Sequence, residues 1–145
     1  MNEIGCYLKK IHNQLENDFN RKFKKYGLTS TQLDVLEYLA QHADADHTLS
    51  DIAAYFDVRH TSMIHVLKLL EGKGFICRSS TSADSRAKPV SLTDRGRQIV
   101  LDVSKSCPAF HQQMFSGISD EEQKLLARLL DQIYKNLNAN AFKEL

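Results

Sequence analysis

Residues 49–96 constrain the fold more than any other part of the chain, because four structural signals follow one another there. The segment SDIAAYFDV has the apolar spacing of a short amphipathic helix, which we expect to span residues 51–56. A polar turn follows, and we expect Val58 to be buried beneath it. A second helix is predicted from near His60 or Thr61 up to a Lys-Gly stop.

Two short β-type runs come next, at residues 75–78 and 89–92, and the loop between them reads SSTSADSRAK. This loop is too polar to bury and too long for a tight hairpin. Helix, turn, second helix and two-stranded ribbon together form the pattern of a winged helix-turn-helix, which binds duplex DNA. The predicted fold class is therefore mainly α with a small β-wing, and the winged helix is assigned to residues 28–97.

Two more helices are predicted around this unit. One spans residues 32–42, with N-caps available from Thr29 to Thr31. Another is capped by Thr93 and runs from Asp94 towards Met114. Pro108 should kink or interrupt it, because proline lacks the N–H and clashes with the preceding turn.

Long apolar stripes also lie near both ends of the chain. The first stripe, in residues 3–26, advances in steps of three and four, and the last follows a capping-box sequence at residues 119–122. Such a stripe either packs inside its own subunit or forms a dimer interface. We favour the dimer, because a helix this long carries more apolar surface than one small core can cover. Residues 1–26 and 98–145 are therefore predicted to form a helical dimerisation region within a single 145-residue chain.

Positive charge is concentrated on the predicted DNA-reading segment. The formal net charge is only +1, but residues 59–97 contain eight Lys or Arg against three acidic residues. The segments on either side are both slightly acidic. This distribution is what neutralisation of DNA phosphates would require.

The sequence also argues against several other classes of protein. It contains no apolar run of about 18 residues and no secretory leader, so we expect a cytoplasmic protein without membrane contact. No Gly-rich phosphate loop, metal cluster or nucleophile–base pair is apparent, so we expect neither an enzyme nor a cofactor. Its three cysteines have wide spacings that suit neither a disulfide framework nor a zinc site.

The second helix of the pair has small polar residues where a DNA-reading helix needs them. Short side chains admit the backbone to a major groove, hydroxyls bond bases or phosphates, and a helix N-terminus favours phosphate. Thr61 and Ser62 have an alternative reading as ordinary capping residues, and the ribbon that follows favours DNA. Met63, Val66, Leu67 and Leu70 should face the core. The candidate DNA-binding residues are Arg59, His60, Thr61, Ser62, Ile64, His65, Lys68, Arg78, Asp84, Ser85, Arg86 and Lys88.

Arg86 is the residue of the loop that we expect at the wing tip. It lies two positions after Asp84, which could orient the base of the wing while Arg86 enters a narrow minor groove. The alternative is a solvated charge pair worth under about 1 kcal/mol.

The chain resembles the multiple-antibiotic-resistance regulator (MarR) family of bacterial transcription factors over nearly its whole length. The wing is the most specific part, with Asp-x-Arg followed by Leu-Thr-x-x-Gly. The resemblance implies an obligate homodimer whose terminal helices interlock and whose two winged helices read pseudo-palindromic DNA. It also implies a repressor that ligands or oxidants release from DNA. The matching segments are LTSTQLDVLEYL (28–39), LSDIAAYFDV (49–58), LLEGKGFICR (69–78) and ADSRAKPVSLTDRG (83–96).

The family's DNA contacts carry over to this chain with some departures. Thr61, Ser62 and His65 occupy groove-facing positions, Arg86 the minor-groove position, and Asp84 that of its orienting partner. Many members have Arg in place of His65, so base preference should differ, and Gly in place of Asp57. Ile64, where Thr is frequent, could touch a thymine methyl group.

Three possible inputs and one competing role remain open at the level of sequence. The favoured input is a small aromatic or phenolic effector held where the first, second and fifth helices meet. Cys6 lies near the reactive cysteine of peroxide-sensing relatives, which makes redox sensing an alternative, whereas the histidines do not match the zinc-sensing branch. A winged helix can also serve as a protein–protein adaptor without DNA affinity, and salt dependence of binding separates that role from DNA reading.

Overall fold

The computed structural model describes residues 2–79 and 88–139. Within them the chain is mostly helical, with one small two-stranded antiparallel sheet, which confirms the predicted fold class. The elements in chain order are α1 (Glu3–Phe23), a 3₁₀ helix (Lys24–Tyr26), α2 (Ser30–Gln41), α3 (Leu49–Tyr55), α4 (His60–Gly72), β1 (Ile76–Arg78), β2 (Val90–Leu92), α5 (Asp94–Ser104), α6 (Cys107–Met114) and α7 (Asp120–Asn138).

The chain divides into two compact units, Met1–Val103 and Ser104–Leu145. The first unit contains one hydrophobic core, to which α2, α3, α4, the sheet and α5 all contribute. The predicted core residues of α4 are found there, except that Val66 is only half-buried. The largest fully buried side chains in this unit include Leu36, Ile52, Met63, Leu67, Leu70 and Phe75.

Two capping boxes fix where α2 and α3 begin. The Thr29 hydroxyl accepts from the backbone N–H of Gln32, and the Gln32 side chain accepts from the N–H of Thr29. Thr48 and Asp51 form the same reciprocal pair at the start of α3. Both helices therefore begin two residues earlier than the periodicity alone predicted, because the cap precedes the first apolar position.

The junction between α1 and α2 is a left-handed turn. Gly27 has φ +66°, the left-handed conformation that glycine adopts most easily after a helix, and its N–H donates to the Lys24 carbonyl at 2.9 Å. At the far end of α4, the Lys73 ammonium donates to the Gly27 carbonyl and lies 3.3 Å from the side-chain oxygen of Gln32. The C-terminal end of α4 is thereby tied to this junction.

The turn between α3 and α4 corrects one expectation. Val58 was expected to be buried, but it is 39% exposed. Its backbone N–H donates to the Ala53 carbonyl at 3.0 Å, and Asp57 adopts a left-handed φ of +52°. The turn is therefore held by backbone geometry and not by an apolar anchor.

Thr93 joins α5 to the end of α4. Its hydroxyl accepts from the Gly96 N–H at 3.1 Å and donates to the Gly74 carbonyl at 2.6 Å, and its own N–H donates to the Phe75 carbonyl at 3.1 Å. Thr93 is thus the cap that the sequence predicted.

The predicted helix from Asp94 towards Met114 is two helices. The first ends at Ser104, and the second begins at Cys107 with Pro108 in its first turn. Proline is favoured there because the first helical N–H groups have no intrahelical acceptor. The interruption was predicted correctly, but it falls before Pro108.

In the second unit, α7 begins with the predicted capping box. The Ser119 hydroxyl accepts from the Glu122 N–H, and the Glu122 carboxylate accepts from the Ser119 N–H at 2.8 Å. The apolar residues along this helix remain exposed, among them Leu125, Leu126, Leu129, Leu130, Tyr134 and Leu137.

A methyl group at Gly96 should disrupt the packing of α5 on the sheet. A Cβ there would lie 2.1 Å from the backbone oxygen of Phe75, a distance that requires the backbone to move. We expect Gly96→Ala to lower the free energy of unfolding by about 2 kcal/mol or more, measured by urea denaturation. Gly72→Ala is the control: outside its own helix backbone and chain neighbours, a Cβ added there meets no atom of the described residues within 4 Å, so the change should be neutral or stabilise by up to about 1 kcal/mol. Equal effects of the two changes would contradict this account.

Candidate nucleic-acid interface

The N-terminal half of α4 presents a polar face opposite its core residues. Thr61, Ser62, His65 and Lys68 are exposed, whereas Met63 and Leu67 point into the core. Hydroxyl, imidazole and ammonium groups on one helix face can bond base edges and phosphates. This face is therefore the first part of the candidate interface.

The start of α4 shows whether Thr61 and Ser62 act as capping residues of the helix. The N-cap is Arg59, which makes no side-chain capping hydrogen bond, and the helix begins at the exposed His60. Thr61 and Ser62 lie inside the first turn, so the alternative that they cap the helix is wrong. The N-terminal N–H groups of a helix have no intrahelical acceptor and favour an anion.

Ile64 does not lie on this polar face. It is half-buried and packs against the core, so the expectation that it faces outward is corrected. Ile64 lies at the border between the two faces of α4, and its side chain packs against the same core as Leu67. It is less available for contact with a base than the exposed Ser62 and His65.

Arg78 is also placed differently from the expectation that it contacts DNA. Its side chain is only 15% exposed, and its Nε lies 3.6 Å from Oε2 of Glu71, which is too long for a good hydrogen bond. Among the residues that the structure describes, its Nε and Nη2 are buried without a hydrogen-bond partner. The guanidinium is therefore largely buried beside Glu71.

The wing is described only at its base. Asp84, Ser85 and Arg86 lie outside the described residues, and Lys88 is half-buried where the description resumes. The strands pair Arg78 with Val90, and the N–H of Ser79 donates to the Pro89 carbonyl at 3.0 Å. The two ends of the loop are therefore held side by side next to α4.

Aromatic and histidine side chains from α2, α3 and the connector between them form a cluster around Tyr38, which the sequence analysis did not predict. The Tyr38 ring lies 4.4 Å from the rings of both His42 and Tyr55, and its hydroxyl is 2.9 Å from Nδ1 of His47. Burial raises the pKa of Tyr38, with the Asp51 and Tyr55 charges adding to the effect, so it stays a hydroxyl donor. The segment HADADHT gave no signal for this cluster beyond its two histidines.

A cavity of about 360 Å³ lies beside this cluster. It is lined by the end of α2, the α2–α3 connector, β2 and α5. The expected effector site was the junction of the first, second and fifth helices. The cavity shares two of those elements, but its lining includes β2 and no residue of α1.

The cysteines and metal-binding groups add no site of their own. The side chains of Cys6, Cys77 and Cys107 are exposed. Across residues 2–79 and 88–139, no three His, Cys, Asp or Glu side chains are grouped to hold a metal ion. None of the helices in the same residues has the length and apolar run that a membrane crossing requires.

Comparison with known proteins finds similarity to transcriptional regulators. The model of the MarR family matches residues 26–87. The uncharacterised HTH-type transcriptional regulator YdgJ of Bacillus subtilis (strain 168) is 31% identical over 112 residues, which cover 77% of this chain and 67% of that protein. The transcription regulator MarR from Oenococcus oeni PSU-1 is 26% identical, with a TM-score of 0.78 over 92% of this chain and 99% of that chain. The S. aureus MepR–DNA complex shows the same fold at 24% identity, with a TM-score of 0.81 over 90% and 94% of the two chains.

The fold and the exposed face of α4 define a winged helix-turn-helix transcriptional regulator of the DNA-binding class. The chain belongs to the MarR family. Family membership also supports the prediction that it is not an enzyme.

The start of α3, which supports α4, should respond to acid through Asp51. Hydrogen bonds from the Thr48 backbone and hydroxyl, together with the His47 charge, hold the pKa of Asp51 below its ordinary value of 3.8. Because the folded-state pKa is below the unfolded one, ionised Asp51 stabilises the fold above about pH 4, and this contribution is lost as pH falls through the folded pKa. Asp51→Asn should therefore lose less unfolding free energy than the wild type between about pH 6 and pH 3, measured by urea denaturation.

Thr48→Val removes one of the two bonds and keeps the carboxylate, so its pH dependence should be intermediate. If Asp51→Asn lost as much stability as the wild type over this range, the role assigned to Asp51 would be wrong.

Proposed function

We propose that the chain is a homodimeric repressor that binds pseudo-palindromic double-stranded DNA and is released by a small aromatic or phenolic effector. In this proposal α4 lies in the major groove and Arg86 of the wing enters the minor groove. The observation that carries it is the first turn of α4, where small hydroxyl residues are exposed and no side chain caps the helix. We also propose that it acts in the cytoplasm, where its DNA is.

The geometry of α4 supports a division of labour among its side chains. Thr61 and His65 are exposed on the outer face of the helix, and their hydroxyl and imidazole groups can form hydrogen bonds with base edges. Lys68 lies one turn further on and suits a phosphate, because a flexible ammonium offers charge without directional readout.

Exposed apolar residues support the homodimer in each unit separately. Soluble monomers rarely expose large contiguous apolar patches. In α1 the exposed residues are Ile4, Tyr7, Leu8 and Ile11, and in α7 they include six leucine and tyrosine residues. A second copy of the chain would remove these side chains from water and place two α4 helices on one duplex.

A relative also supports the DNA-binding part of the proposal. S. aureus MepR, whose fold this chain shares, has been solved as a complex with DNA.

Substitutions on α4 and the wing should separate base reading from phosphate binding. Thr61→Ala and His65→Ala should change the preference among operator sequences, by about 1–3 kcal/mol at the affected base. Lys68→Ala and Arg86→Ala should weaken binding to all sequences, and Lys68→Ala should reduce the slope of log affinity against log salt by about one. The measurement is fluorescence anisotropy on DNA from upstream of the chain's own gene and on a scrambled duplex, at several salt concentrations.

Lys124→Ala, an exposed lysine on α7, is the matched control and should behave as the wild type. Equal losses on specific and scrambled DNA for all four variants would refute the division of labour. No binding even at low salt would instead favour the protein–protein adaptor.

A charge on the apolar face of α7 should weaken the homodimer. Leu129 is 44% exposed, and Leu129→Glu would place a carboxylate in the proposed interface. We expect dimerisation to weaken by roughly 2 kcal/mol or more, measured by sedimentation equilibrium. Lys124→Glu changes charge on the same helix and should leave the dimer intact. A wild-type chain that sediments as a monomer would overturn the proposed assembly.

A further inference from the structure

The two ends of α1 have different surroundings. The N-terminal half of this helix exposes apolar side chains, whereas Phe19 packs against the core of the first unit and Phe23 is buried in it. Near the buried end, Oδ1 of Asn20 accepts from the backbone N–H of Ser30 at 2.9 Å, and the Ser30 hydroxyl donates to Glu16 at 2.6 Å. One continuous helix therefore reaches from the apolar surface proposed for the dimer to the start of α2.

Lys73, the C-cap residue of α4, extends this connection to the predicted DNA-reading helix. Its ammonium donates to the backbone carbonyl of Gly27, which ends the 3₁₀ helix after α1, and it lies 3.3 Å from Oε1 of Gln32. Gln32 is 4% exposed, and the same oxygen accepts from the backbone N–H of Thr29. One ammonium therefore contacts the turn before α2, the first turn of α2 and the end of α4.

A positive charge suits this position. The last carbonyl groups of a helix carry partial negative charge, so a cation is favourable beside them. Lys73 lies at two such ends, that of α4 and that of the 3₁₀ helix, which closes at Gly27. Within the described residues it forms no ion pair with a carboxylate, so these neutral acceptors hold the ammonium. A side chain without a donor would leave the buried oxygen of Gln32 with one hydrogen bond fewer.

The contact at Lys73 affects where the first turn of α4 lies. The helix rises about 18 Å between Thr61 and Lys73, so a tilt of about 6° at Lys73 moves the first turn by about 2 Å. Hydrogen bonds to base edges tolerate changes in length of only about half an ångström. The first turn has no side-chain cap that would hold it independently. A small change of angle at the end of α4 is therefore enough to impair base recognition at its start.

We propose that Lys73 is a positioning residue for DNA recognition, which fixes the angle between α4 and α1 and thereby the separation of the two α4 helices in the homodimer. It acts through Gly27 and Gln32 and contacts no DNA itself. The angle within one chain requires no partner, whereas its consequence for operator recognition rests on the proposed function. Because α1 also carries the apolar surface proposed for the dimer, a change in subunit arrangement can reach α4 through this contact.

Distances within one chain test the positioning and need no DNA. Spin labels are attached at two exposed positions, Asn17→Cys on α1 and Ser62→Cys on α4, in the full chain with its three native cysteines replaced by serine. An excess of unlabelled chain keeps each measured pair within one molecule, and pulsed electron paramagnetic resonance gives the distance distribution. Lys73→Met keeps the aliphatic stem and removes the ammonium. We expect it to shift or broaden the distribution by about 2 Å, as a tilt of about 6° would.

Two matched variants control this measurement. Lys73→Arg keeps a cationic donor and should recover most of the wild-type distribution, whereas Lys124→Met removes an exposed lysine of α7 and should change nothing. An unchanged distribution in Lys73→Met, or an equal change in Lys73→Arg, would overturn the proposal. If circular dichroism shows that Lys73→Met does not fold, Lys73→Gln replaces it, because its shorter amide cannot reach both acceptors. The same change is expected there, and an unchanged distribution again overturns the proposal.

DNA binding has its own readout. On the native duplex, Lys73→Met should lose at least about fivefold in affinity, which is roughly what one mismatched base pair costs. On a scrambled duplex it should stay within about twofold with an unchanged salt slope, since the ammonium neutralises no phosphate. Its preference for the native duplex over one lengthened by a base pair between the half-sites should also fall.

The outcomes separate this proposal from the proposed function. Equal losses by Lys73→Met on both duplexes, with a smaller salt slope, would make Lys73 a phosphate contact and overturn its positioning role. An undiminished preference for the native half-site spacing would overturn the link from the angle of α4 to operator recognition. If the wild type binds no DNA at any salt concentration, the proposed function fails, while the distances within one chain still decide whether Lys73 positions α4.

Discussion

The carbonyl of Phe75 is the point on which the winged helix depends. It accepts a hydrogen bond from the N–H of Thr93, and the backbone of Gly96 approaches it so closely that any side chain there would collide with it. The Thr93 hydroxyl reaches the Gly74 carbonyl from the same side. The end of α4, the sheet and the start of α5 are therefore fixed relative to one another by a few backbone atoms. The Leu-Thr-x-x-Gly sequence is explained by this junction and requires no contact with DNA.

Most of the fold could be predicted because its signals are local. Helix periodicity, the capping box at residues 119–122 and the Lys-Gly stop of α4 depend on residues within one or two turns, and those expectations were confirmed. The wrong expectations for Val58 and Ile64, and the burial of Arg78, have a different origin. Val58 is placed by a backbone bond in the turn, Ile64 lies at the border of two helix faces, and Arg78 turns towards Glu71 on another element. Each depends on tertiary placement, which periodicity does not contain.

The candidate interface could be predicted in outline for the same reason, whereas the cavity could not. The helical spacing of apolar residues along α4 was enough to assign Thr61, Ser62, His65 and Lys68 to one exposed face. The cavity forms where α2, β2 and α5 meet across some sixty residues of sequence. The connector HADADHT looked like a solvated link, yet both nitrogens of His47 are hydrogen-bonded within it and to Tyr38. Histidines in a polar segment thus gave no indication that they would order that segment against an aromatic ring.

The bridge between His47 and Val90 has a consequence for how copies of this protein meet. A two-stranded sheet has free edges, and an open edge is a template on which another chain can add a strand. Here the N–H of Val90 is bonded to the His47 carbonyl, and the Leu92 carbonyl is bonded to Arg97. The free side of β2 therefore presents little for a neighbouring wing to pair with. The β2 edge is therefore protected against edge-to-edge pairing with a second copy of the chain.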